Sequence, residues 1–247
     1  MHNTTHPIRT LHLSFNHEIY ARQISNWRGA FIEMAGLDND LFHNHNGQQF
    51  YHYRYPLIQY RMHKGKACIF AINEGVDAIQ KALSENEWEI RWGDETKSLS
   101  VEDMRMNEHY LRMLSKPKQY KLYKWIALNE ANYTKWLKAK NMIERVQLLQ
   151  STLYGHITQF CKAMQFEFSE PLEVNIQNIQ MMEQVKCHKV NLLAFNIAYD
   201  CNVLLPNGIA LGKSVSHGFG WQMPRRVPKK GDARRRNVNF MPEPDIS

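Results

Sequence analysis

Apolar positions along the first ninety residues follow two different periods. Thr10 to Phe15 alternates, with Leu11, Leu13 and Phe15 apolar, which predicts a half-buried strand. Asn16 is suited to cap a helix, and from His17 to Ala35 the residues Ile19, Ile24, Trp27, Ala30, Phe31 and Met34 recur at helical spacing, with Gly36 as the stop. A polar, turn-rich stretch, GLDNDLFHNHNGQQF, precedes two short apolar runs, Tyr55 to Arg61 and Ala67 to Ile72, joined by a hairpin-like His63-Lys64-Gly65-Lys66. Glu74 to Leu83 returns to the helical period and Trp88 to Trp92 alternates again. The order strand, helix, strand, strand, helix, strand predicts a split βαβ, or ferredoxin-like, unit whose open antiparallel sheet is a common platform for RNA.

The second half is less regular. A stretch from about Gly93 to Pro117 is expected to join the halves, and Lys118 to Leu128 reads as a strand carrying Tyr120, Tyr123 and Trp125. A long helix is predicted from Asn129 to about Gln165, striped by Ile143, Val146, Leu149, Leu153, Ile157 and Phe160, with Gly155 as a point of interruption. Short strands are predicted at Leu172 to Ile179, Val185 to His188 and Asn191 to Tyr199. The fold class expected is therefore α+β: two tandem ferredoxin-like (RRM-like) domains with antiparallel sheets, the second degenerate, at residues 1–112 and 113–224. Residues 225–247 are expected to form a basic, flexible tail.

Composition narrows the partners. A formal charge of +7 and an isoelectric point near 9.2 favour a polyanion, nucleic acid before anionic membrane. No long apolar run suggests a membrane span, and MHNTTHPIRT lacks the order of a signal peptide, so a cytoplasmic location is expected. Cys68, Cys161, Cys187 and Cys201 show no CxxC pairing and read as buried, reduced thiols. From Trp221 onward the chain holds Arg225, Arg226, Lys229, Lys230 and three further arginines, Arg234 to Arg236, among four prolines. This segment reads as a solvated end, a phosphate-tracking arm, or both.

Candidate chemistry begins with histidine. His43 and His45 flank Asn44 in the turn-rich segment, and Tyr51, His52, Tyr53 and Arg54 follow. Cutting RNA requires taking a proton from a 2′-hydroxyl and giving one to the departing 5′-oxygen, and imidazole suits both tasks because its ordinary pKa lies near 6.5. Spacing of i and i+2 puts both rings on one side of an extended segment. Tyr53 could orient the 2′-hydroxyl or the phosphate, and Arg54 could offset developing charge. Two other readings stand beside this one: a polar loop that simply contains histidines, and a metal site in which His52 joins the pair, although no nearby carboxylate or thiol completes it.

A second constellation runs from Asn207 to Gly220. Gly208, Gly212, Gly218 and Gly220 would let backbone amides approach a partner, and with Lys213 the loop could cradle a phosphate. Gly212-Lys213-Ser214 has the ending of a nucleotide-binding P-loop, but Asn207 stands where its first glycine is required, so no nucleotide cofactor is expected.

With this late loop ending Gly218-Phe219-Gly220, the segments His43-Asn44-His45, Tyr53 to Tyr60 and Ile72-Asn73-Glu74-Gly75 resemble one branch of the CRISPR-associated endoribonucleases of the sixth Cas protein family. The similarity is strongest over roughly residues 40–80 and 205–224. The resemblance implies tandem ferredoxin-like domains that bind the repeat RNA and cut it without a metal ion or other cofactor, leaving a 2′,3′-cyclic phosphate and a 5′-hydroxyl. It implies catalysis by His43 and His45 with Tyr53, and a grip on the RNA backbone by the glycine loop. Arg54, Gly208, Gly212, Lys213, His217, Gly218, Gly220, Arg225 and Arg226 are the RNA-binding candidates. His217 reads either as a third functional histidine or as a hydrogen-bonded turn residue. Gly208 and Gly212 are more widely spaced than the family's opening glycines. A CRISPR interference complex and a homodimer are further candidate partners. A catalytically silent RNA-binding subunit and a metal-dependent nuclease remain the alternatives.

Overall fold

The first strand is longer than its apolar alternation. In the computed structural model, which describes residues 7–36, 40–43, 55–85, 87–187 and 190–224, β1 spans Ile8–Glu18. Asn16 does not cap a helix. Its backbone N–H donates to the Ser100 carbonyl and its side chain accepts from Ser100 N, which keeps the chain extended. One 3₁₀ turn, Ala21–Gln23, leads into α1, Ile24–Ala35. Gly36 ends the helix as expected, with φ of 90°. A short helix, α2 (Asp40–His43), follows.

β2 (Ile58–His63) and β3 (Lys66–Ile72) form the expected hairpin. Lys64 and Gly65 both have positive φ, 51° and 76°, the two-residue turn that matches strand twist. Helix α3 is Glu74–Glu85. The alternating segment after it departs from the expected topology: β4 (Glu89–Trp92) pairs only with β5 (Glu95–Ser98) in a separate ribbon. The fourth strand of the sheet is instead β6, Val101–His109, inside the stretch that reads as a connection. Spatial order is β2-β3-β1-β6, that of a ferredoxin-like unit.

The second unit opens with β7, Met113–Ile126. Two helices replace the single long one: α4 (Glu130–Lys138) and α5 (Met142–Ala163). The break lies at 139–141 rather than at Gly155, because Asn141 caps α5 by accepting from Glu144 N at 3.0 Å while Glu144 reaches back to Lys140 N. Next, β8 (Val174–Cys187) and β9 (Val190–Val203) form one long hairpin in place of three short strands. Register shifts between Ile176 and Asn178 and between Ile179 and Met181 interrupt the alternation that would have marked its length. A final strand, β10 (Trp221–Pro224), pairs with β7, giving the order β10-β7-β9-β8. This is again ferredoxin-like, but the glycine-rich segment stands where the second helix would be, a form of degeneracy that the sequence reading did not specify.

Each sheet has helices packed on one face. In the first, Leu11, Leu13, Phe15, Tyr60 and Ile69 pack with Trp27 and Phe31 of α1 and Ile79 of α3. In the second, Leu122, Ile197 and Tyr199 pack with Leu149, Leu153, Ile157 and Phe160 of α5, each such side chain worth roughly 1.5–3 kcal/mol of transfer free energy. This second core also takes in Ile8, Tyr55, Phe70 and Ile72 from the first half. All four cysteines are buried and free, and no helix among the described residues is long and apolar enough to cross a membrane.

Candidate functional site

The glycine-rich segment lies where the two sheets meet. Residues 208–211 add an outer edge to β10: Gly208 N donates to Gln222 O, Gln222 N to Ile209 O, and Leu211 N to Gly220 O. The chain then turns back to β7, where Lys213 N donates to Ile126 O and Gly220 N to Lys124 O. His217 N and Gly218 N donate to Ser214 and Val215 carbonyls in a 3₁₀ turn, Val215–His217. These amides are already engaged within the chain.

The close approach that the glycines permit is to the protein itself. At Gly212, φ is +102° and a Cβ would stand 2.7 Å from the Trp125 ring and 2.8 Å from Ile126 O; at Gly220, φ is +71° and a Cβ would fall on the Leu211 carbonyl. Only glycine fits either position. Gly208 lies against Phe70 of β3, and Gly218 against Ile24 of α1 and Tyr60 O of β2. The loop is thus seated on the first unit. Of its proposed contacts, Lys213 presents an exposed side chain. His217 is half-buried, with Nδ1 3.1 Å from Ser216 Oγ.

A buried polar chain fastens this seat. Tyr55 Oη donates to Ala210 O at 2.8 Å and accepts from Ala210 N at 3.3 Å and from Gln59 Nε2 at 2.9 Å. Burial pushes the Tyr55 phenol up to about 12, so it stays neutral. Gln59 Oε1 in turn accepts from Arg61 Nη2. Arg61 is fully buried, its guanidinium 4.6 Å from the Phe70 ring and 4.8 Å from the Trp221 ring. Desolvation lowers it to about 9, which leaves it charged at neutral pH.

Beside Arg61, the face of the first sheet turned away from α1 and α3 carries His12 and His63. Their ring centroids are 6.3 Å apart, and His63 stands 5.5 Å from Trp221. Burial first, then the charges of Arg105 and Arg61, lower His12 to about 4; His63 is lowered mainly by burial, with Lys64, Arg105 and Arg61 adding to it. On the covered side of the second sheet, His156 Nδ1 accepts from Trp125 Nε1 at 3.2 Å. It too is lowered to about 4, by burial and then by Lys213.

The histidine candidates fall in a different place. His43 is the last residue of α2, and its side chain lies outside the described residues, as do His45, His52, Tyr53, Arg54, Arg225 and Arg226. The points that bracket 44–54 are described. Phe42 packs 6.2 Å from Phe31 of α1 and its carbonyl accepts from Arg28; Tyr55 is hydrogen-bonded to the glycine loop. Phe42 thus sits on the helix face of the first sheet and Tyr55 at the junction with the second.

Sequence reasoning missed Gln59, Arg61 and Trp221 as members of a junction. A signal existed for the first two: polar Gln59 and Arg61 alternate with apolar Ile58 and Tyr60, yet both faces of the strand are buried.

Comparison with known proteins agrees with this architecture. A protein of Methanocaldococcus jannaschii is 32% identical over 99 residues, 39% of this chain and 64% of that protein's length. A crystal structure of Cas6b superposes with a TM-score of 0.77 at 24% identity, covering 89% of this chain and 100% of that one. A CRISPR RNA processing endoribonuclease Cas6b gives a TM-score of 0.69 at 22% identity with the same coverage. At these identities the superpositions speak to the fold, which they match across both units. The Cas6b N-terminal domain matches residues 6–110 and the Cas6b C-terminal domain residues 112–224, and the chain therefore belongs to the Cas6b family.

Proposed function

We propose that this chain binds CRISPR repeat RNA and cuts the precursor transcript into guide RNAs. The observation that carries the reading is the match of both halves, in order and almost without gap, to the two Cas6b domains, a family in which a solved member is described as a CRISPR RNA processing endoribonuclease. The excess of positive charge suits a polyanionic substrate.

The chemistry proposed is a transesterification without metal. One imidazole of the His43–His45 pair accepts the proton of the 2′-hydroxyl. The 2′-oxygen attacks the adjacent phosphorus in line with the P–O5′ bond. The second imidazole donates its proton to the departing 5′-oxygen, leaving a 2′,3′-cyclic phosphate and a 5′-hydroxyl. Tyr53 orients the reacting groups and Arg54 offsets the charge on phosphorus. Lys213, Arg225 and Arg226 neutralise backbone phosphates, and the glycine loop holds Lys213 in position.

Labelled repeat RNA incubated with the protein in EDTA tests each part. The expected result is cutting at one position, with His43→Ala and His45→Ala each slower by about 10²-fold or more at nearly unchanged RNA affinity. RNA that is shifted but never shortened would identify a silent binder. Activity lost on chelation would assign the histidines to a metal.

A further inference from the structure

α5 covers only one side of the second sheet. On the other side, register sets Trp221 across from Tyr123 and Met223 across from Lys121, and facing residues on paired strands share a face. Asn196 of β9 continues this surface: it accepts from Lys124 N at 2.7 Å and donates to Met181 of β8. Tyr123 is 36% exposed, Met223 44% and Met181 51%, an unusual amount of flat and soft apolar surface for one sheet face. Trp221 also abuts the face of the first sheet turned away from its helices, through Arg61 and His63. A line of rings therefore runs His12, His63, Trp221, Tyr123, from β1 of one unit to β7 of the other.

Two properties indicate what would lie on this line. First, Lys121 and Lys124 flank Tyr123 on β7, so the ring is edged by positive charge. Second, three buried polar atoms in the line, His12 Nδ1, Arg61 Nη1 and Trp221 Nε1, have no hydrogen-bond partner among the described residues. The last two can only donate, and buried donors without an acceptor favour a partner that brings oxygens.

We propose that this line is a base-stacking platform for a single-stranded segment of RNA: Tyr123 and Trp221 stack successive bases, Lys121 and Lys124 neutralise the adjoining phosphates, and the buried Arg61 charge behind Trp221 adds to the positive field there. The platform rests on the RNA-processing reading for its substrate, but uses none of the residues assigned to cutting. It separates holding the strand from cleaving it. Stacking on an aromatic ring is sequence-tolerant, so specificity for the repeat lies elsewhere.

The experiment uses the full chain and fluorescence anisotropy of a labelled oligouridylate over a salt series, with repeat RNA cutting measured in parallel. Tyr123→Ala should weaken oligouridylate binding about tenfold while leaving the slope of log affinity against log salt unchanged, because a ring and not a phosphate contact is removed. Tyr123→Phe, which keeps the ring, should restore the affinity. Tyr123 is exposed enough for the alanine variant to fold, and circular dichroism verifies that it has. Wild-type affinity in Tyr123→Ala, or equal weakening in Tyr123→Phe, would overturn the platform. So would a change in mass by light scattering with RNA affinity intact, since the face would then be a contact between two copies. If repeat RNA is cut normally while oligouridylate does not bind, the platform alone fails; if neither RNA is bound, the RNA-processing reading fails with it.

Discussion

Gly220→Ala separates two roles for the glycine loop, intimacy with RNA and intimacy with the protein. An L residue at φ of +71° costs roughly 1–2 kcal/mol. The new methyl would also collide with the Leu211 carbonyl, a backbone atom that cannot swing aside as a side chain can. Forcing it in strains the pairing between Leu211 N and Gly220 O and between Gly220 N and Lys124 O, and overpacking of this kind costs about 1–3 kcal/mol. The sum, about 2–5 kcal/mol, is a large part of the roughly 5–15 kcal/mol that holds a typical fold. Gly93→Ala is the control: φ there is +64°, and a Cβ would meet nothing within 4 Å, so only the first cost applies. At about 2–4 °C per kcal/mol for a chain of this size, Tm should fall by roughly 2–8 °C for Gly93→Ala and by about 4–20 °C for Gly220→Ala. Thermal unfolding followed by circular dichroism without RNA decides it. If Gly220→Ala unfolds no earlier than Gly93→Ala, the loop is not seated as described and its glycines are available for another purpose.

Other outcomes follow from the same geometry. Tyr55→Phe deletes the hydroxyl that serves Ala210 and Gln59 and should lower unfolding free energy in urea by about 1–3 kcal/mol, whereas a shift under a few tenths would show that the chain of bonds adds nothing. His156 is held neutral, with a folded pKa of about 4 against 6.5. Its unfolded form binds the extra proton first, so its contribution is complete above pH 6.5 and is lost as pH falls toward 4, reaching about 2 kcal/mol by pH 5. Urea titrations at both pH values should show this fall and show it diminished in His156→Gln; an unchanged pH dependence in that variant would refute the assignment. Lys213→Ala should reduce the salt slope of RNA binding by roughly 0.7, one phosphate on a single strand, with Tm unmoved because the side chain is exposed. An unaltered slope would remove Lys213 from the interface.

What could be read from the amino acids alone depended on how asymmetric each element's two faces are. β1 and α1 were legible because one face of each is apolar. β6 was not: nearly every residue of Val101–His109 is exposed or half-exposed, as an edge strand allows, so no alternation marks it. The alternation of Trp88 to Trp92 was real, but a pattern of period two does not name its partner, and the nearest one was β5. The break between α4 and α5 had a sequence signal, Asn141 three residues before Glu144, that a continuous apolar stripe obscured. At the candidate site, the glycines were visible as glycines, but whether such residues let in a ligand or the rest of the chain is a tertiary fact. Tyr123 and Trp221, ninety-eight positions apart, become neighbours only through strand register.

A helix is absent from the second unit, and the loop that substitutes for it leans on the first. With Ile8, Tyr55, Phe70 and Ile72 contributed to the second core and Ala210 tied to Tyr55, the second half does not own a complete interior, whereas the first packs around residues of its own. Severing the chain between β6 and β7 should yield a second-half fragment that aggregates or stays unfolded when made alone, and the intact protein should melt in one calorimetric transition. The dependence runs one way across the seam, so whatever loosens the first unit's edge also uncovers the second unit's interior.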